Sequence, residues 1–88
     1  MLTMEQKIFI LIFSKAVSGV EIEKRSGIGN SHVYKLRLGR REIEGLSIRT
    51  GRALERCFDE LEQEGKISKD YHYSIAMNNY EKMKSENK

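Results

Sequence analysis

The apolar residues of the first 26 positions recur at the spacing of amphipathic helices, and no proline interrupts them. Thr3 is placed to cap a first helix that runs to about Ser18. Its apolar residues cover so much of its circumference that the helix must pack against neighbours on several sides. A short second helix, residues 20–26, ends at Gly27, the residue type that most readily takes the left-handed conformation after a helix.

Two more helices are predicted before residue 65. Asn30 or Ser31 caps a third helix that extends to about Leu38. After a turn through residues 40–46, Ser47 caps a long fourth helix that closes at Gly65. One face of that helix is apolar, and its members are Ala53, Leu54, Cys57, Phe58 and Leu61.

The tail carries two conflicting patterns. Alternation typical of a strand joins Tyr71, Tyr73, Ile75 and Met77. Helical spacing joins Ala76, Tyr80 and Met83. We therefore predict an all-α, compact four- to five-helix bundle, with residues 1–65 as the folded domain and residues 66–88 as a C-terminal extension that is helix or short strand.

Charge is distributed unevenly along the chain. Residues 1–23 carry a net charge of −1, residues 24–56 a net charge of +6, and residues 57–88 a net charge of −2. Seven of the nine cations in the middle segment are arginines, whose planar guanidinium suits phosphates and guanine edges. The clustering favours an acidic partner such as a nucleic acid.

The second and third helices have the spacing of a helix-turn-helix. Two helices can cross over a three- or four-residue turn only if the turn tolerates positive φ and the crossing is apolar. Gly27 supplies the turn. The apolar crossing residues are Ile22, Ile28, Val33 and Leu36.

The stretch SGVEIEKRSGIGNSHVYKLRLGRR resembles the helix-turn-helix of lambda-repressor-like proteins, the large Cro and phage-repressor (Xre) family. The continuation REIEGLSIRTGRALERCFDELE is also similar to that family, so the resemblance spans Thr3 to Leu61. Two positions depart from the family pattern. Glu23 stands where alanine is usual, and Gly19 stands where glutamine is frequent.

The resemblance implies that the third helix enters the major groove of double-stranded DNA. The base-reading residues it implies are Asn30, Ser31, Tyr34, Lys35 and Leu38. The phosphate-binding residues it implies are Arg40, Arg41, Ser47, Arg49 and Arg52. The expected function is that of a small transcriptional regulator of the phage-repressor type.

A single recognition helix makes few base contacts, so we expect a homodimer on an inverted repeat. The acidic tail is expected to supply its surface, through Tyr73, Ile75, Met77 and Tyr80. Two alternatives stay open. In one, a strand in the tail makes a winged helix whose recognition helix is residues 47–64. In the other, the domain binds a protein, as phage or mobile-element antirepressors, antitoxins or defence inhibitors do.

Signals for chemistry are weak. His32, His72 and Cys57 lack metal-ligand spacing, and the GIG of residues 27–29 lacks the strand and the GK pair of a phosphate loop. We expect no enzyme activity, metal or cofactor. The apolar run of residues 8–13 is too short for a signal peptide or a membrane span, which indicates a cytoplasmic protein.

Overall fold

The computed structural model describes residues 2–86, and they form an all-α fold without a strand. The predicted fold class is therefore confirmed. A single 3₁₀ turn, Ile43–Gly45, lies between the third and fourth helices. The five helices are α1 (Met4–Phe13), α2 (Gly19–Ser26), α3 (Asn30–Arg37), α4 (Ile48–Gln63) and α5 (Lys69–Glu86).

Helix α1 is the centre of the bundle. It contacts α3, α4, α5 and the 3₁₀ turn, so it is packed on several sides as its composition predicts. The fully buried residues Ile10, Leu11 and Ile12 are consecutive, which requires neighbours around most of the helix. Thr3 caps α1 as predicted, and Gln6 completes a reciprocal capping box with it.

Helix α1 is shorter than the sequence pattern predicts. It ends at Phe13 rather than near Ser18, because Lys15 takes a left-handed φ of 56°. Ser18 instead begins the next helix, where its hydroxyl accepts a hydrogen bond from the Glu21 N–H at 3.1 Å. Ser18, which the apolar pattern assigns to the end of α1, is thus the N-cap of α2.

Side chains that are distant in the sequence donate hydrogen bonds to backbone carbonyls at and just beyond the C-terminal end of α1. Arg37 donates from Nε to the Ile12 carbonyl at 2.7 Å and from Nη2 to the Val17 carbonyl at 2.9 Å. Asn79 of α5 donates to the Phe13 carbonyl at 2.6 Å. Carbonyls at a helix end lack intrahelical partners, and these two side chains supply donors for the Ile12 and Phe13 carbonyls of α1.

The turn between α2 and α3 follows the predicted spacing. Gly27 has a φ of 79°, and Ile22, Val33 and Leu36 are buried where the two helices meet. The predicted cap of α3 is wrong. Gly29 is its N-cap, and the Glu23 carboxylate accepts the Asn30 N–H at 2.9 Å in place of a local side chain.

Helix α4 begins and buries its apolar face as predicted. The Ser47 hydroxyl accepts the Thr50 N–H at 3.2 Å, and the helix ends just before Gly65, whose φ is 76°. Its buried residues include Leu54, Cys57, Phe58 and Leu61. Lys7 joins α1 to α4 by ion pairs with Glu55 and Asp59 at 3.5 and 2.9 Å.

The tail is a helix, so the strand alternative is wrong, and with it the wing that a winged-helix fold requires. Helix α5 packs along α1, and Ile67 and Ala76 belong to the hydrophobic core. The C-terminal extension thus packs against the rest of the fold. No helix in the described part of the chain combines the length and apolar composition that crossing a membrane requires.

Candidate nucleic-acid interface

Helix α3 presents a polar outer face. Val33 and Leu36 are buried, whereas Ser31, Tyr34 and Lys35 are exposed on the opposite side. Tyr34 is the most prominent, with 60% of its surface accessible. Helix α3 thus offers an aromatic group, a hydroxyl and an ammonium to solvent.

Asn30 and Leu38, also expected to read bases, are placed differently. Asn30 directs its amide back over the start of α2, where a side-chain carbon at Gly19 would overlap its oxygen. Leu38 is half-buried at the C-cap of α3. The three residues that α3 brings together on its outer face are thus Ser31, Tyr34 and Lys35.

The two departures from the family pattern have a joint structural explanation. Gly19 leaves room for the Asn30 amide, and Glu23 caps the α3 backbone at the same residue. Both contacts join the start of α3 to α2. They fix the first turn of α3 relative to α2.

Arg40 and Arg41 follow α3 directly and are exposed. Gly39, with a φ of 77°, lets the chain turn there, and the Arg40 N–H donates to the Lys35 carbonyl at 2.9 Å. The charges of Arg41 and Lys35 both act on His32. Lys35 and Arg41 thus both lie near enough to His32 for their positive charges to act on it.

His32 is a residue that sequence reasoning missed, because it looks like an ordinary surface histidine. It is half-buried, and its Nε2 atom has no hydrogen-bond partner among residues 2–86. Burial lowers the pKa of His32, and the positive charges of Arg41 and Lys35 lower it further. The ring is therefore neutral at physiological pH.

Ser47, Arg49 and Arg52 form a second exposed group at the start of α4. Gly51 of α4 packs against Met4 at the N-terminal end of α1. Arg37 binds the Ile12 carbonyl near the C-terminal end of the same helix. Ile12 and Met4 are eight residues apart along α1, which separates the two ends by about 12 Å. The predicted phosphate contacts thus fall into two groups.

The cations of residues 24–56 differ in what they contact. Arg37 is bound to carbonyls, and Arg25 pairs with Glu21 at 2.7 Å, Glu64 at 2.8 Å and Glu60 at 3.6 Å. The others are exposed and make no ion pair within residues 2–86, namely Lys24, Lys35, Arg40, Arg41, Arg49, Arg52 and Arg56. Most of the positive charge is thus available to an external anion.

The predicted dimer residues on α5 are unequally accessible. Tyr80 faces inward, with its ring 5.3 Å from Phe9 and 5.0 Å from Phe13. Ile75 and Met77 are half-buried. Tyr73 is 44% exposed, and the neighbouring Tyr71, which was not predicted, is 68% exposed.

Cys57 has no features of a reactive thiol. It is fully enclosed in the core, and burial raises the pKa of its thiol to about 11. A buried thiol of this kind stays protonated and unreactive. Within residues 2–86 no group of three or more histidine, cysteine or carboxylate side chains is arranged to hold a metal ion.

Comparison of the chain with protein-family models, with curated proteins and with solved structures found no match.

Proposed function

We propose that this protein is a small sequence-specific regulator that binds double-stranded DNA by inserting α3 into the major groove. The observation that carries the proposal is the composition of the α3 surface. A short helix, joined to α2 by a three-residue turn, exposes hydrogen-bonding side chains, and the arginines that follow it make no ion pair within residues 2–86. This is the combination that a groove-reading helix requires.

The exposed side chains of α3 suit base edges. Lys35 can donate to the O6 and N7 acceptors of guanine, and the Tyr34 ring can contact a thymine methyl group. Each good base contact contributes roughly 1 to 3 kcal/mol of discrimination. Asn30 contributes only after its amide leaves Gly19, so we assign it mainly to positioning α3.

The arginines suit the flanking phosphates. Arg40 and Arg41 lie at the end of α3, and Arg49 and Arg52 lie at the start of α4. Exposed guanidinium groups that lack carboxylate partners can neutralise phosphates without first breaking an internal ion pair. They set affinity and register, and the side chains of α3 set sequence preference.

We further propose that the protein acts as a homodimer on an inverted repeat, because two recognition helices double a small set of contacts. Tyr73 is the predicted dimer residue that the structure leaves most accessible, and Tyr71 adds to it. The DNA-binding role and the single buried cysteine agree with a reducing cytoplasm.

Selection of bound duplexes from a random library tests the function. We expect enrichment of an inverted repeat whose half-sites are centred about 34 Å apart. Lys35→Ala should relax preference at one position per half-site, whereas Arg49→Ala should weaken all duplexes about equally. If no sequence is enriched and all duplexes bind alike, base reading by α3 is wrong, and a protein partner becomes the better account of the exposed surface.

A further inference from the structure

A cleft between α1, α5 and residues 39–44 lies outside the proposed DNA-reading face. Its volume is about 460 Å³, within the range of small-molecule sites. We call it the α1–α5 cleft. Its aromatic lining is Phe9, Phe13 and Tyr80, and its charged lining includes Arg41, Glu42, Glu44 and Lys84.

The aromatic part of the cleft is a rigid cluster of rings. Phe9 and Phe13 have centroids 5.3 Å apart, and Tyr80 meets both rings nearly edge-on. Phe13 is only 4% exposed, so the core fixes its orientation. Phe9 and Tyr80 are only partly buried, so they present the aromatic surface of the cleft.

The charged part of the cleft carries both signs. Arg41 and Lys84 supply positive charge, and Glu42 and Glu44 supply negative charge. No ion pair joins these residues to one another within the described part of the chain. Lys84 instead lies over the Tyr80 ring, with its Nζ atom 5.4 Å from the centroid. Two cations and two carboxylates are therefore available to a ligand that carries both signs of charge.

We propose that the α1–α5 cleft binds a small zwitterion with an aromatic body, the chemical class of an aromatic amino acid. Its carboxylate would pair with Arg41, which offers a bidentate contact, and its ammonium would pair with Glu42 or Glu44. The aromatic body would lie against Phe9 and Tyr80. A simple aromatic acid leaves both glutamates unpaired, which is why the zwitterion fits better.

Arg41 gives this site a consequence for DNA binding. It lines the cleft, and its charge also acts on His32 of α3. A ligand that binds Arg41 therefore competes with a phosphate for it and weakens DNA binding. This consequence rests on the proposed function, but ligand binding itself does not, so the test is made without DNA.

The test is a titration of the full chain, followed by ¹H–¹⁵N NMR, with L-phenylalanine, L-tyrosine and L-tryptophan in turn. We expect saturable shifts from at least one of them, centred on Gly39, Arg41, Glu42 and Tyr80. Phenylacetate lacks the ammonium and phenethylamine lacks the carboxylate. Each should bind at least about tenfold more weakly than phenylalanine, the equivalent of one lost charge-assisted contact.

A matched pair of arginines provides the control. Arg41 and Arg40 are adjacent and both exposed, but only Arg41 lines the cleft. Arg41→Ala should weaken ligand binding about tenfold, and Arg40→Ala should change it less than about twofold. The proposal is overturned if none of the three amino acids gives saturable shifts, if the shifts lie outside the cleft, if phenylacetate binds as well as phenylalanine, or if both variants bind alike.

Discussion

Arg37 and Arg41 are only four positions apart, yet the structure uses them in opposite ways. Arg37 points into the bundle and donates to the Ile12 and Val17 carbonyls, whereas Arg41 is exposed and pairs with no carboxylate in residues 2–86. Arg25 belongs with Arg37, because three glutamates surround it. A positive segment must therefore be divided into internal and available charges before it is assigned to a partner.

The largest expected effect comes from Arg37→Ala. The substitution leaves two carbonyls near the end of α1 without a donor, and each charge-assisted hydrogen bond of this kind contributes about 1.5 kcal/mol or more. We expect the free energy of unfolding to fall by about 3 kcal/mol, measured by urea denaturation. Arg37→Lys should recover only part of it, since one ammonium cannot reproduce the planar fork. A loss no greater than that of Arg40→Ala would show that Arg37 is not a structural residue.

A smaller effect is expected from Arg25→Ala, and it depends on pH. Hydrogen bonding to Arg25 holds the pKa of Glu64 at about 2, below its ordinary value near 4.5. A carboxylate with a depressed folded-state pKa stabilises the fold above its unfolded pKa and loses that contribution as pH falls. The difference in urea midpoint between wild type and Arg25→Ala should therefore be greatest above about pH 4.5 and shrink toward pH 2. The control is Lys24→Ala, and a difference that does not change with pH would contradict the assignment.

Local contacts such as helix caps can be predicted from the sequence, whereas long-range contacts such as those of Arg37 cannot. Local pattern identifies the helix caps Thr3, Ser18 and Ser47, because each side chain accepts a hydrogen bond from an N–H group three residues away. The apolar pattern nevertheless assigns Ser18 to the end of α1, whereas it begins α2. The contacts of Arg37 and Asn79 span 25 and 66 residues. Nothing in a local pattern separates such residues from surface ones. The end of α1 at Phe13, which the left-handed backbone of Lys15 sets, is not visible in the apolar spacing either.

In the candidate site, too, the sequence predicts the features that depend on helical periodicity and not those that depend on tertiary packing. Helical periodicity alone puts Tyr34 and Lys35 on the face opposite Val33, and the structure agrees. The inward turn of the Asn30 amide depends on the lack of a side chain at Gly19, which becomes meaningful only when α2 and α3 are packed together. His32 was missed because its burial is likewise a tertiary property.

The smallest effect on stability is expected from the double variant Arg40→Ala with Arg41→Ala. Both residues are exposed and unpaired in the described chain, so the free energy of unfolding should change by less than about 0.5 kcal/mol. Urea denaturation beside Arg37→Ala measures the contrast directly. A loss as large as that of Arg37→Ala would erase the distinction between internal and available arginines.

Binding of DNA phosphates by the available cations is measured by the affinity for a duplex that carries one half-site, as a function of salt concentration. For one protomer on that half-site, four to six phosphate contacts predict that affinity falls by roughly two to three decades between 50 and 200 mM salt. In the double variant Arg40→Ala with Arg41→Ala the slope of log affinity against log salt should become shallower by about two, one for each lost contact. A wild-type affinity that stays flat across that range, or a slope that the double variant leaves unchanged, would contradict the account.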